Sequence, residues 1–174
     1  KLFQDLLSNY TGQALSATVE YLGLSEFFSS PISVAVFHLE WTDQENRQRG
    51  EDKYLLTNLC MHQAVEGLLV ESGLTFRLLN YRMNRLVVFI SGNRGYFTGI
   101  AQKLLTEHGC GEELGVTIGV GTAYSGIQGA VVSYREAMRA AKLSYLYGTG
   151  GLFFYRDVEQ ESVSGEARLA LIQQ

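Results

Sequence analysis

Residues 125–157 read SGIQGAVVSYREAMRAAKLSYLYGTGGLFFYRD, an apolar pattern at helical spacing that runs into a glycine-rich stop and then a short aromatic stretch. Three readings compete for it: a glycine loop that cradles phosphate, a tyrosine-bearing active site, or the closing helix and strand of a fold whose chemistry lies elsewhere. Ser125 and Gln128 have the spacing of a capping box, in which side chains satisfy the free N–H groups at a helix start. Ile127, Ala130, Val131, Tyr134, Ala137, Met138, Ala141 and Tyr145 then fall on one stripe, which predicts a core-facing helix. Arg135, Arg139 and Lys142 lie mostly on the other side and read as solvated. A phosphate loop follows a strand and precedes a helix, because the free N–H groups of the helix start must point at the anion. GTGG at 148–151 has the reverse order, so Gly148 is placed as a helix C-cap. The other glycine-rich stretch, GVTIGVG at 115–121, lies inside a predicted strand, where glycine marks close backbone packing or a bulge. Tyr134 and Tyr145 sit on the core stripe, and packing accounts for them.

Outward from this segment the chain alternates strand and helix patterns. LFQDLLSNYTG at the start and ALSATVEYLGL after it have helical spacing. Pro31 introduces ISVAVFHLEW, apolar on both faces and so an interior strand. TDQENRQRGED reads as a charged, solvated loop. A long helix is expected from about Glu51 to Ser72, with Leu55, Leu59, Ala64 and Leu68 as inward candidates. LTFRLLNY and RLVVFIS, parted by a few residues around Met83 and Asn84, predict an antiparallel hairpin whose second strand is central. A helix from about Tyr96 to His108 and a strand in GVTIGVGTAY complete the order, before the added helix and the strand LFFY. This order predicts an α+β fold: a ferredoxin-like βαββαβ sheet with an added C-terminal helix and strand. The expected division is a helical lead-in at 1–30, the α+β domain at 31–158, and the start of a connecting helix at 159–174.

The 174 residues suffice for one well-buried core. No apolar run approaches the roughly 18 residues of a membrane span. The net charge of −4 argues against nucleic-acid binding by this segment itself, which needs a concentrated Lys/Arg surface. Cys60 and Cys110 lie in different elements and read as buried free thiols of a cytoplasmic protein rather than a disulfide. His38, His62 and His108 show no metal spacing, and Cys60 and His62, two apart on one helix, point in different directions. No GxSxG elbow occurs. The chain opens on Lys1 and its last residues fall in a helical pattern, so it reads as a segment of a longer protein.

The strand order, together with VTIGVGTAY and SYREAMRAAKLSYLYGTGGLFFYRD, resembles the C-terminal half of a GGDEF domain, the nucleotidyl-cyclase-like fold of diguanylate cyclases, over residues 32–157. The resemblance implies where catalysis would lie. In active members the hairpin turn reads Gly-Gly-Asp-Glu-Phe, and its carboxylates, with an Asp after the first strand, hold divalent metal against the nucleotide phosphates. In this chain RMNRL, Arg82, Met83, Asn84, Arg85 and Leu86, falls at that place, and His38 falls near the position of the Asp. An arginine repels a hard cation, and neither Asn nor His supplies the anionic oxygen that Mg²⁺ favours. Glu40 survives nearby. The product-binding Arg-x-x-Asp is missing before the hairpin, and Arg49 to Asp52 spells it in another loop. The resemblance therefore implies no cyclase activity, no catalytic or metal-binding residues and no cofactor.

Within this superfamily the chain is most similar to the degenerate GGDEF-like middle domains of two-component response regulators of the AraC type, which carry a Ser-Tyr-x-x-Ala segment matched by Ser133, Tyr134 and Ala137. That likeness implies a homodimer placed between a receiver and a helix-turn-helix region, with DNA touched only by the latter and no membrane contact. A similar domain occurs in sugar-diacid and purine-catabolism regulators. Two functions stay open: a signalling and interaction module, or a sensor of a small anionic metabolite or nucleotide received by Arg77, Arg82, Arg85 and His38.

Overall fold

The strand β1 (Ile32–Trp41) lies near the middle of a five-stranded sheet, and both of its faces are buried. The computed structural model describes residues 17, 19–21, 23–41, 51–82, 84–91, 94–107, 114–147 and 150–160. A short helix α1 (Ser25–Ser29) precedes β1. Then follow α2 (Glu51–Ser72), the hairpin β2 (Thr75–Asn80) and β3 (Arg85–Ser91), α3 (Arg94–Glu107), β4 (Leu114–Val120), α4 (Gly126–Tyr147) and β5 (Gly151–Phe154). The strand order is β2-β3-β1-β4-β5, with β5 parallel to β4 and all other neighbours antiparallel. This is the expected ferredoxin-like sheet with one helix and one edge strand added.

Alternate residues of each strand feed two cores, because successive side chains point to opposite faces. Ala35, Phe37 and Leu39 of β1 meet Met61, Val65 and Leu69 of α2 and Phe97, Ala101 and Leu104 of α3. The Phe37 and Phe97 rings meet edge to face with centroids 6.3 Å apart. Val34 and Val36 point the other way, toward Phe27 and Phe28 of α1 and Ala130, Tyr134 and Ala137 of α4. Each fully buried Val, Leu, Ile or Phe of these layers contributes about 1.5–3 kcal/mol of transfer free energy. Burial on both sides of the sheet is why β1 and β3 read as unbroken apolar runs.

Two glycines let α4 lie close on β4. A Cβ at Gly119 would overlap the Ala137 carbonyl oxygen, and one at Gly121 would overlap the Ser133 carbonyl oxygen. GVTIGVG is thus a close-packing strand, the first of the two readings open to its glycines. Where β4 ends, the Gly121 N–H still donates to the Val34 carbonyl (2.9 Å), and the Ser33 hydroxyl donates to the Gly121 carbonyl (2.7 Å). The Val34 N–H has no strand partner on that side and donates to the Ser133 hydroxyl at 2.9 Å. Glu136, also buried, accepts from the Thr122 N–H (2.8 Å) and from the Tyr124 hydroxyl (2.6 Å), clasping the β4–α4 connection to the helix it enters. The Ser-Tyr-x-x-Ala segment therefore consists of a sheet-binding hydroxyl, a buried ring and a methyl small enough for contact with β4.

Two expectations are corrected. Leu55 and Leu59 are 53% and 48% exposed, while Asn58, Met61, Val65 and Leu69 face inward. The helix α2 is apolar around much of its circumference, so periodicity leaves its phase open and packing against α3 and the sheet selects it. Cys60 is exposed rather than buried because it follows Leu59 on that outward side. The short helix α1, with its two buried Phe rings, falls within the expected helical lead-in, just past the second helical pattern there. The predicted opening helix, the 42–50 loop, Cys110, His108, Gly148 and the 159–174 helix lie outside the described residues, apart from 159–160.

Candidate functional site

His38 is the fourth residue on the α4 face of β1, after Ile32, Val34 and Val36, and it pairs across the sheet with Arg85 of β3 and Thr117 of β4. Arg85 shares that face by the same alternation, two residues before Val87. The C-terminal half of α4 passes over both. A cavity of about 270 Å³ remains between helix and sheet, lined by His38, Arg85, Met138, Ala141 and Lys142. Met138, Ala141 and Lys142 arrive together because residues three and four apart share a helix face.

The charges around this cavity are specific. Burial pushes the His38 imidazole below its usual pKa, the nearby Arg85 adds to that, and Glu40 opposes it. His38 Nε2 and Glu40 Oε1 are 2.9 Å apart. The Nε of Arg85 is buried without a hydrogen-bond partner. Burial also raises the Tyr134 phenol above its usual value, and the neighbouring Arg85 guanidinium works against the shift.

The hairpin turn is tied to β1. Tyr81 N–H donates to the Arg85 carbonyl (2.9 Å), and Leu39 N–H donates to the Asn84 carbonyl (3.0 Å), so β1 ties the turn down. Arg82 has φ of 68°, a left-handed conformation that favours glycine. Its exposed guanidinium lies 5.6 Å from the centre of the Tyr81 ring. Leu86 is core, paired with Phe37, and Met83 lies outside the described residues. Arg77 is on the same sheet face as Arg85 but opposite Phe89, four residues along β3 and so roughly 13 Å away. It stacks 5.1 Å from the centre of the Phe27 ring, donates to the Phe76 carbonyl at 2.8 Å, and lines a different hollow with Gly23, Glu26, Ser30 and Ser91.

The structure thus brings His38 and Arg85 together at the cavity, while Arg82 stands over Tyr81 at the turn and Arg77 lines the other hollow. Sequence reasoning missed Lys142, which read as solvated; its place four residues after Met138 on the stripe edge was the available signal. Among the described residues no group of three or more His, Cys, Asp and Glu side chains is arranged to hold a metal ion. The cavity presents a guanidinium, an ammonium and an imidazole, a set suited to an anion.

An antiparallel β2-β3-β1-β4 sheet with an added helix and a parallel edge strand defines the GGDEF or nucleotidyl-cyclase-like class of α+β fold. The sequence profile of the GGDEF-like domain matches residues 9–143, and the chain belongs to that family. Among solved structures it is similar to the active GGEEF domain of a diguanylate cyclase from Vibrio cholerae, at 13% identity and a TM-score of 0.57 over 87% of this chain and 95% of that one. A GGDEF domain from Pseudomonas aeruginosa matches at 14% identity and a TM-score of 0.54, over 85% of this chain and 98% of that one. A regulator of polyketide synthase expression from Bifidobacterium adolescentis matches at 15% identity and a TM-score of 0.53, over 87% of this chain and 54% of that one. At these identities the likeness is one of fold. No curated protein sequence matches the chain significantly. Among the described residues no helix is long and apolar enough to cross a membrane.

Proposed function

We propose that this domain is a non-catalytic signalling and interaction module of a bacterial transcriptional regulator, a two-component response regulator of the AraC type. In this reading it acts as a homodimer between a receiver and a helix-turn-helix region, and DNA is touched only by the latter. The observation that carries the non-catalytic part is the pairing of His38 with Arg85 across β1 and β3. A guanidinium and an imidazole stand where the family resemblance calls for metal-binding carboxylates, and a divalent cation placed there meets positive charge in place of anionic oxygen. The fold likeness to a regulator of polyketide synthase expression supports the transcriptional context.

The test is direct. Purified protein incubated with GTP and Mg²⁺ is expected to release no cyclic di-GMP, and turnover would overturn the reading. The reading frame of the parent gene beyond Gln174 is expected to encode a helix-turn-helix domain; any other neighbour removes the transcription-factor assignment. The His38–Arg85–Lys142 cavity favours a second reading, in which the module senses a small anionic ligand.

A further inference from the structure

We infer that the cavity between α4 and the sheet binds a small organic monocarboxylate, its carboxylate on Arg85 and Lys142 and its apolar body along Met138 and Ala141. This rests on the second reading above and names the ligand class.

Size, charge and shape each narrow the occupant. The volume of about 270 Å³ lies just under the roughly 300–1,000 Å³ range of ordinary ligand pockets, which suits a molecule smaller than a nucleoside triphosphate. Among the described lining residues the charged groups are the Arg85 guanidinium and the Lys142 ammonium, and Glu40 lies 2.9 Å from His38. A planar guanidinium fits a planar carboxylate through paired N–H donors. The buried Arg85 Nε lacks a protein acceptor, and an unsatisfied buried donor is costly unless a ligand oxygen supplies one. The Met138 and Ala141 side chains offer no hydrogen bonds, so the part of the ligand against them is hydrocarbon. Met adapts to chains of different shape.

The experiment is calorimetric titration of the 174-residue chain near pH 7.5 with acetate, butyrate, hexanoate and benzoate, and separately with inorganic phosphate and with GTP in the presence and absence of Mg²⁺. Saturable carboxylate binding is expected, tightening by about fourfold per added methylene until the cavity is filled. Arg85→Met is expected to weaken it at least tenfold, the loss of a charged hydrogen-bonding partner. Lys142→Gln, at an exposed position, is expected to weaken it severalfold with an unchanged melting temperature. If Arg85→Met melts early, Lys142→Gln alone decides. Absence of saturable carboxylate binding overturns the inference, as does binding that both variants retain. Phosphate or GTP binding without carboxylate binding overturns the carboxylate assignment while sparing the anion-sensor reading; absence of binding by any of these anions removes both.

Discussion

The Ser133 hydroxyl accepts the Val34 backbone N–H at 2.9 Å, so helix α4 supplies the hydrogen bond that β4 cannot once its pairing with β1 ends. Ser133 is fully buried, and without its oxygen the Val34 N–H has no water to turn to. Ser133→Ala is expected to destabilise the domain by about 1–3 kcal/mol, the cost of an orphaned buried donor. Chemical denaturation measures the loss, and amide exchange at Val34 should accelerate more than at Val36. Equal stability of the variant would show that the bond is incidental.

Gly119 and Gly67 predict opposite signs for the same substitution. At Gly119 the new methyl would overlap the Ala137 carbonyl, backbone that cannot rotate away, so Gly119→Ala is expected to destabilise by about 3 kcal/mol or more. At Gly67, exposed in the interior of α2 with nothing near its virtual Cβ, alanine is expected to stabilise by about 0.5–1 kcal/mol. Thermal melts of the two variants beside the parent settle the contrast.

Glu136 holds the entry to α4 through two hydrogen bonds. Glu136→Ala is expected to cost about 2–4 kcal/mol, because each bond is charge-assisted and the Thr122 N–H would lose its acceptor. Tyr124→Phe removes only one of the two and should cost less than half as much. The hydrogen bond to Glu136 is the main cause that raises the Tyr124 phenol above its usual pKa. Its contribution to stability is therefore present below about pH 10 and is lost as pH rises through the raised value.

His38 provides a pH signature on the acid side. Its pKa is lowered in the folded protein, so between that value and about 6.5 the unfolded chain binds more protons than the native one. The stability it contributes is complete above about pH 6.5 and declines as pH falls through the folded pKa. Urea denaturation of the parent and of His38→Gln across pH 4.5–7.5 should show a shallower slope for the variant in that window. Identical slopes would mean that His38 titrates as it does in the unfolded chain.

The candidate site is legible in the sequence only in part. A family resemblance at the hairpin points to His38 and Arg85, and β-sheet register explains their meeting: seven paired positions from Ile32–Ser91 to His38–Arg85 carry them to the same row. Arg77 looked equivalent in sequence, yet its row is four residues away, against Phe27 of a helix that no strong pattern announced. Lys142 reads as solvated because a helical wheel separates core from surface and does not show a rim residue bordering a cavity. Glu136 is silent in the sequence for a related reason: a carboxylate beside Arg135 in a polar-looking interval gives no sign that backbone N–H and phenol donors wait for it.

What the sequence determined by itself was the alternation of elements, the two-sided burial of β1 and β3, the close-packing glycines of β4 and the core stripe of α4, since each follows from local periodicity and residue size. The phase of α2, with Leu55 and Leu59 turned outward, was decided only in the tertiary structure, where contact with α3 and the sheet chose among apolar faces of similar strength. So was the cavity, because His38, Arg85 and Lys142 are separated by 47 and 57 residues in the chain and only sheet register and helix docking bring them to one place.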